Sequence, residues 1–279
     1  MKSIRGKLAL VTGAASGVGR AISMALAEQG AELYLLDLNT DGLEAVADEC
    51  RKMGSGPVAC ITCDLSISSE ITAATERLLH ERDGVDILVN NAGIAYYGPT
   101  ANMDAEQRER VLAVNLHAPI QLVCELLPTL TKRYEAHVVN IASLYGLVAV
   151  PRTSVYHATK FGLVGFTESL RREYGRNGLG VTVICPGFIG TRLFTASASG
   201  YSNRDVPQPP AWVTGTPERV AQKTIRAIHR DRRMVLVTPL AYVGSYVQRL
   251  APWLLDGLYL FGRRRKMRNR LRRFQERKT

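Results

Sequence analysis

Residues 8–19 read Leu8-Ala9-Leu10-Val11-Thr12-Gly13-Ala14-Ala15-Ser16-Gly17-Val18-Gly19 and run directly into an amphipathic helical pattern. A short apolar run thus ends in a glycine-rich turn, and the turn opens a helix. Backbone N–H groups at a helix N-terminus, with glycines permitting close approach, make an anion site suited to a pyrophosphate. The spacing is G-x-x-x-G-x-G rather than G-x-G-x-x-G. Taken alone it also reads as a tight strand-to-helix connection with no ligand.

Outward from this turn the same alternation continues. Apolar runs at residues 8–11, 32–36, 58–63, 87–89, 138–141, 181–185 and 234–238 are separated by helical patterns at 16–29, 42–52, 69–81, 104–127, 154–174 and 217–229. Most of the runs are continuously apolar, as in strands buried on both faces. Strands separated by helices pair in parallel through right-handed crossovers. The expected fold class is therefore α/β: a doubly wound, seven-stranded parallel sheet with helices on both faces. It occupies residues 1–239, and an apolar then basic extension follows at 240–279. The apolar fraction of 46% and charged fraction of 22% exclude disorder as the main state, and 7% aromatics argue against a base-stacking nucleic-acid binder.

The second strand ends at Asp37. A carboxylate there accepts hydrogen bonds from an adenosine ribose diol and repels a 2′-phosphate. No Arg or Lys stands at 38–40 or 14–16 to receive that phosphate, so the expected cofactor is NAD rather than NADP. Asp64, with Leu65 behind it, ends the third strand and faces either an adenine edge or its own turn. In Asn90-Asn91-Ala92-Gly93 the small residues let the chain pass close beside a flat ligand, and the asparagines can tie strand ends together. Asn115 sits among Val111, Leu112, Val114 and Leu116 inside a long helix, where Asn has poor propensity; a kinked, functional position is expected.

Tyr156 and Lys160 lie four apart on a helix and share one face, thirteen residues beyond Ser143 at a strand end. A free tyrosine has a pKa of roughly 10, and an ammonium one turn away lowers it toward a workable proton donor and acceptor. Ser143 can hold the substrate oxygen. Tyr-x-x-x-Lys by itself is also an ordinary helix-surface pair.

Thr12-Gly13-x-x-x-Gly17-x-Gly19, Asn90-Asn91-Ala92-Gly93, Asn115, Ser143, Tyr156-x-x-x-Lys160 and Pro186-Gly187 occur in order at the expected strand ends. Over residues 5–239 the sequence resembles the short-chain dehydrogenase/reductase family. The resemblance implies a catalytic tetrad of Asn115, Ser143, Tyr156 and Lys160, with Tyr156 as acid/base and Asn115 holding a proton-relay water. It implies cofactor contacts at Gly13, Ser16, Gly17, Val18, Gly19, Asp37, Asp64, Leu65, Asn91, Ala92, Gly93, Tyr156, Lys160, Pro186, Gly187, Ile189 and Thr191. Lys160 is expected on the nicotinamide ribose, Thr191 on the carboxamide and Ile189 beside the nicotinamide. It also implies a homodimer or homotetramer through the helices bearing Asn115 and Tyr156.

The loops at 93–100, 144–154 and 188–215 offer Ile94, Tyr96, Tyr97, Leu144, Tyr145, Leu147, Val148, Val150, Phe188, Leu193, Phe194 and Trp212, against the ionic Arg152, Arg192, Arg204 and Asp205. Such a lining favours a lipophilic alcohol or ketone of steroid, retinoid or fatty-alcohol type, although several of these residues can equally pack the loops themselves. The implied function is an NAD-dependent oxidoreductase interconverting alcohol and carbonyl; the alternative is a membrane-tethered NAD-binding scaffold with little turnover.

The formal charge of +11 is misleading as a whole-chain figure. Residues 263–279 hold ten Lys/Arg and one Glu, a net of +9, which leaves +2 for residues 1–262. Met267, Leu271 and Phe274 fall at helical spacing among these arginines, after an apolar, aromatic segment. That combination suits an anionic membrane surface, with a solvated tail, packing on a sister subunit, or nucleic acid as other readings. No signal peptide and no uninterrupted 18-residue apolar run is read, and the expected location is cytoplasmic with peripheral membrane attachment. Five scattered cysteines suggest buried thiols in a reducing compartment, Cys60-x-x-Cys63 lacks the second pair a metal site needs, and no metal is expected. His157, about 100° around the helix from Tyr156, is expected as a pocket-wall or surface residue.

Overall fold

The computed structural model describes residues 1–175, 178–190, 198–199, 210 and 213–257. Its centre is a seven-stranded parallel sheet of β1 (Leu8–Thr12), β2 (Glu32–Asp37), β3 (Val58–Thr62), β4 (Ile87–Asn90), β5 (Ala136–Ile141), β6 (Leu179–Cys185) and β7 (Met234–Leu236). The strand order is β3-β2-β1-β4-β5-β6-β7, as expected of a doubly wound sheet. The order reverses between β1 and β4, which opens a crevice at their carboxyl ends.

Alternation along β1 explains the layering. Ala9 and Val11 point to one core with Leu33, Leu35, Ile22 and Ile228; Leu8 and Leu10 point to the other with Tyr34, Leu36, Leu88 and Leu126. The first face is covered by α1 (Gly17–Glu28), α2 (Thr40–Lys52) and α7 (Pro217–Arg230). The second is covered by α3 (Ser68–Arg82), by α4 (Ala105–Leu112) continuing into α5 (Ala118–Leu130), and by α6 (Ser154–Tyr174). Caps set several starts. Thr216 accepts from the Arg219 N–H ahead of Pro217, Asn39 accepts from the Gly42 N–H, and Asp104 accepts from the Gln107 N–H.

Between α4 and α5 the chain makes a π-helical turn at Ala113–His117. A single widened turn re-aims one side chain without ending the helix, and this one carries Asn115 inward. The continuous helix 105–130 is long and apolar enough by composition to cross a membrane. It nevertheless packs on the sheet through Leu122, Val123 and Leu126, as a core helix of the domain.

Two features follow β6. The segment starting at Phe188 is closed at its base: Gly215 N–H donates to Phe188 C=O at 2.8 Å and Gly190 N–H to Gly215 C=O at 3.1 Å. Ala198–Ser199 also pairs in parallel with Tyr96–Tyr97. After β7, α8 (Pro239–Leu250) lies across the turn at 144–148, with Ala241 buried against Leu144 and Val148. The basic run 263–279 lies outside the described residues.

His137 in β5 is fully buried, with Nε2 2.8 Å from the Thr182 hydroxyl. A Cβ at the neighbouring Gly180 would come within 2.2 Å of its Nδ1, so only glycine fits there. Burial lowers the imidazole pKa from 6.5 to about 3. The unfolded chain therefore binds a proton that the folded chain refuses, and stability present above pH 6.5 drains as pH falls toward 3. We expect a loss of about 1.4 kcal/mol per pH unit across that window, relative to His137→Gln. Urea midpoints of both proteins between neutral and mildly acid pH measure it; parallel curves would contradict the buried-neutral imidazole.

Candidate active site

The glycine turn lies where the crevice begins. Gly13 and Gly17 adopt φ +64° and +54°, and a Cβ on Gly13 would stand 2.8 Å from Ala92 Cα. The turn is pinned from β4. Asn91 Nδ2 donates to the Thr12 and Gly13 carbonyls at 3.0 and 3.2 Å, while Thr12 Oγ1 accepts from the Asn91 and Ala92 N–H groups. The Asn91 side chain thus holds the turn in shape. At the start of α1, Ser16 makes no side-chain cap and no acid stands in the first turn. The first N–H groups are left to an anion, and the cradle fits a pyrophosphate.

Asp37 sits at the rim, with Oδ2 accepting from Ala15 N–H at 3.1 Å and Oδ1 from Asn39 N–H at 3.0 Å. Leu38, Asn39 and Thr40 beside it carry no charge, and Leu38 is 56% exposed. Asp64 turns inward on its own loop. It accepts from the Ser66 N–H and hydroxyl at 2.8 and 2.7 Å and pairs with Arg110 at 3.6 Å; the Ser66 bonds hold its carboxyl below the usual range. Leu65 is buried in the core.

Helix α6 carries Tyr156 and Lys160, both buried, with the Lys160 ammonium 5.7 Å from the Tyr156 ring centre. Lys160 Nζ donates to Ile141 C=O at the end of β5 at 3.1 Å. A Cβ on Gly93 would lie 3.3 Å from Asn115 Oδ1 and 3.5 Å from Lys160 Nζ, so the three converge at the crevice floor. Asn115 Oδ1 accepts from Ile94 N–H and its Nδ2 donates to Ile94 C=O, both at 2.8 Å, and to Thr159 Oγ1 at 3.2 Å. Ser143, in extended backbone after β5, accepts from Tyr145 N–H at 3.1 Å and hydrogen-bonds the Tyr156 hydroxyl. All four residues named from the sequence are brought together.

The electrostatics differ from the simple expectation. Burial raises the Tyr156 hydroxyl above its ordinary value, the Ser143 hydrogen bond pulls it down, and the Tyr145 phenol raises it. The Lys160 ammonium faces the Tyr156 ring and binds the Ile141 carbonyl. Lys160 is itself lowered by burial to about 8, opposed by the neighbouring Cys185 thiol. Cys185 in turn is pushed up to about 12 by burial and is inert as a nucleophile.

Thr159 escapes sequence reasoning, and His157 and Tyr145 take roles more specific than those expected of them. Thr159, wholly buried, donates to Tyr156 C=O at 2.8 Å and receives Asn115, linking two helices. His157 is a buried clamp: Nδ1 lies 2.7 Å from Tyr145 C=O and Nε2 accepts from Val150 N–H at 2.9 Å. Nε2 also lies 3.1 Å from the Val150 C=O, and burial lowers the imidazole pKa against these bonds. Tyr145, held by that clamp, sets its ring edge-on to Tyr156 and Phe188 at 6.2 and 6.0 Å. The only signal for His157 was adjacency to Tyr156, which does not reveal a partner loop.

Beyond β6, Pro186 C=O accepts from Leu144 N–H at 2.6 Å. A Cβ on Gly187 would meet Thr238 Oγ1 at 2.2 Å, and Ile189 bridges to Gly215. Thr191, and with it Arg192, Leu193, Phe194, Arg204, Asp205 and Trp212, lies outside the described residues. Of the expected wall residues, Leu144 and Val148 pack under α8 and Arg152 stacks on Tyr97, with its guanidinium 3.0 Å from the hydroxyl. An open hollow of about 620 Å³ near Glu32, His80, Asp86 and Arg133 lies at the opposite end of the sheet. Among the described residues no His, Cys, Asp or Glu cluster is placed to hold a metal, and burial pushes the Cys60 and Cys63 thiols up to about 11.

A family model described as short chain dehydrogenase matches residues 7–202. The mouse 17-beta-hydroxysteroid dehydrogenase 13 is 32% identical over 85% of this chain and 75% of its own. A short chain dehydrogenase/reductase from Burkholderia phymatum, solved in complex with NAD, superposes with a TM-score of 0.80 at 27% identity, covering 91% of this chain and 97% of that one. A metagenomic short-chain oxidoreductase solved with NADP superposes at 0.71 and 29% identity, covering 85% and 97%. The chain belongs to the short-chain dehydrogenase/reductase family.

Proposed function

We propose that this oxidoreductase interconverts an alcohol and its carbonyl on a lipophilic substrate of steroid, retinoid or fatty-alcohol type, with NAD as cofactor. The observation that carries the reading is the convergence of Ser143, Tyr156 and Lys160 beside the glycine turn. In the proposed site the α1 N-terminus would hold the pyrophosphate, Asp37 the adenosine ribose diol and Lys160 the nicotinamide ribose. Ile189 would stand beside the nicotinamide. The nicotinamide supplies the hydride acceptor or donor.

Oxidation removes a hydride from the carbinol carbon and a proton from its oxygen. Ser143 orients that oxygen and Tyr156 takes the proton; in reduction Tyr156 returns it. The mouse steroid dehydrogenase supports a steroid-like substrate, as do the aromatic Tyr145, edge-on to Tyr156, and Phe188, edge-on to Tyr145. Assembly into a dimer or tetramer through α6 and helix 105–130 is supported by Phe161, 43% exposed on α6.

Tyr156→Phe removes the transferable proton but not the cradle. We expect kcat to fall at least about a thousandfold, with NADH affinity within about threefold of the parent by fluorescence titration. Turnover within tenfold of the parent would refute the role. Cofactor choice tests Asp37: the parent should prefer NAD to NADP by about a hundredfold in kcat/KM, and Asp37→Ala should erase most of that difference. Equal kcat/KM for both in the parent would remove the basis for the preference.

The two directions should also diverge with pH. Reduction needs the phenol protonated, which burial favours, whereas oxidation needs one proton lost from the Tyr156–Lys160 pair. With Lys160 lowered to about 8, oxidation should rise with pH up to about that value while reduction falls. Paired pH profiles of kcat/KM check this; profiles moving in the same direction would count against the shared proton.

A further inference from the structure

Helix α8 has two unlike faces. Its inner side carries Ala241, buried, and Gly244, whose absent Cβ would touch Val148 and Leu144 at 3.4 and 3.5 Å. Its outer side exposes large apolar groups: Val243 is 61% exposed, Tyr246 63% and Leu250 79%, and Trp253 just beyond is 67% exposed. Val243, Tyr246 and Leu250 fall at i, i+3 and i+7, on one stripe. Elsewhere among the described residues the exposed large apolar groups, Leu38, Met53, Ile67, Tyr134 and Phe161, stand on separate elements, whereas here several gather on one helix and the residues just after it. A contiguous patch of this kind marks an interaction surface.

The sequence says what covers it. The chain leaves this helix and, at residues 263–279, becomes a run of net charge +9, while residues 1–262 carry only +2. Tyrosine and tryptophan on an exposed apolar stripe, joined to a dense basic segment, match the chemistry of an anionic lipid surface: aromatic rings seat among the headgroups and the cations meet the phosphates. A second copy of this chain carries the same net charge of +9 over residues 263–279, and like charges oppose such a partner.

We propose that the outer face of α8 docks this protein on an anionic lipid bilayer, with the basic run 263–279 supplying the electrostatic part of the attachment. Because the inner face of α8 rests on the 144–148 turn next to Ser143, docking sets the proposed substrate site beside the lipid; that last step rests on the function proposed above.

The test needs no turnover, so its outcome is separate from that of the catalytic reading. Full-length protein is co-sedimented with vesicles of phosphatidylcholine alone or mixed equally with phosphatidylglycerol, at physiological and at molar salt. We expect binding to the mixed vesicles, at least about tenfold weaker binding to phosphatidylcholine, and a loss at high salt. Tyr246→Glu combined with Trp253→Glu should weaken binding at least about tenfold at an unchanged thermal midpoint, and Val243→Ser with Leu250→Ser serves should the first pair fail to fold. Arg263→Gln, Arg264→Gln and Arg265→Gln together should shift the salt dependence. Absence of parent binding to the mixed vesicles, or folded face variants that bind as the parent does, overturns the proposal. So does a face variant that breaks an oligomer while vesicle binding persists, since the face then belongs to a second copy.

Discussion

An ammonium buried beside a buried phenol is the constraint around which the rest of this molecule is arranged. Lys160 has left water and is stabilised by one carbonyl, that of Ile141 at the end of β5. Tyr156 has left water and is stabilised by the Ser143 hydroxyl. Neither burial is favourable alone, because desolvation penalises the charged form of each. The strand end at β5 supplies both partners at once, and α6 delivers both side chains one turn apart. The sheet and helix must therefore meet at a fixed height, and the small Gly146, whose Cβ would strike Lys160 C=O at 2.6 Å, permits that close contact.

The shell around this pair is made of hydrogen bonds between elements distant in sequence. Asn90 Nδ2 donates to Asn140 Oδ1 at 2.9 Å, and Asn140 Nδ2 to Thr167 Oγ1 at 2.8 Å, tying β4, β5 and α6 in one line. Asn115 and Thr159 do the same for the π-helical turn and α6. Such buried networks are costly when incomplete and rigid when satisfied. They hold the Tyr156 hydroxyl beside Ser143 rather than letting α6 slide along the sheet.

Much of this was legible in the sequence, for identifiable reasons. Parallel strands covered on both faces must be continuously apolar, so residues 8–11, 32–36 and 181–185 announce themselves. The Thr216-Pro217-Glu218 start reads as a helix cap because each residue has a local reason to be there, and the Thr216 bond is present. Asn115 was readable as an anomaly, a polar side chain crowded by apolar ones inside a helix, and the π turn is its cause. What did not read out depended on partners far along the chain. His157 finds its acceptor and donor on a loop that precedes it, and Asn91 reaches back to the Thr12–Gly13 backbone. The burial that raises Tyr156 did not read out either, because spacing on a helix reports distance but not desolvation.

The two hydrogen bonds joining Phe188, Gly190 and Gly215 have a consequence for how this scaffold diversifies. They join the two ends of that stretch to each other, whatever stands between them. For a flexible loop in general, doubling the length costs only about 0.6 kcal/mol in closure entropy. A change of length between ends so joined therefore leaves Ser143 and Tyr156, which sit on other elements, where they are.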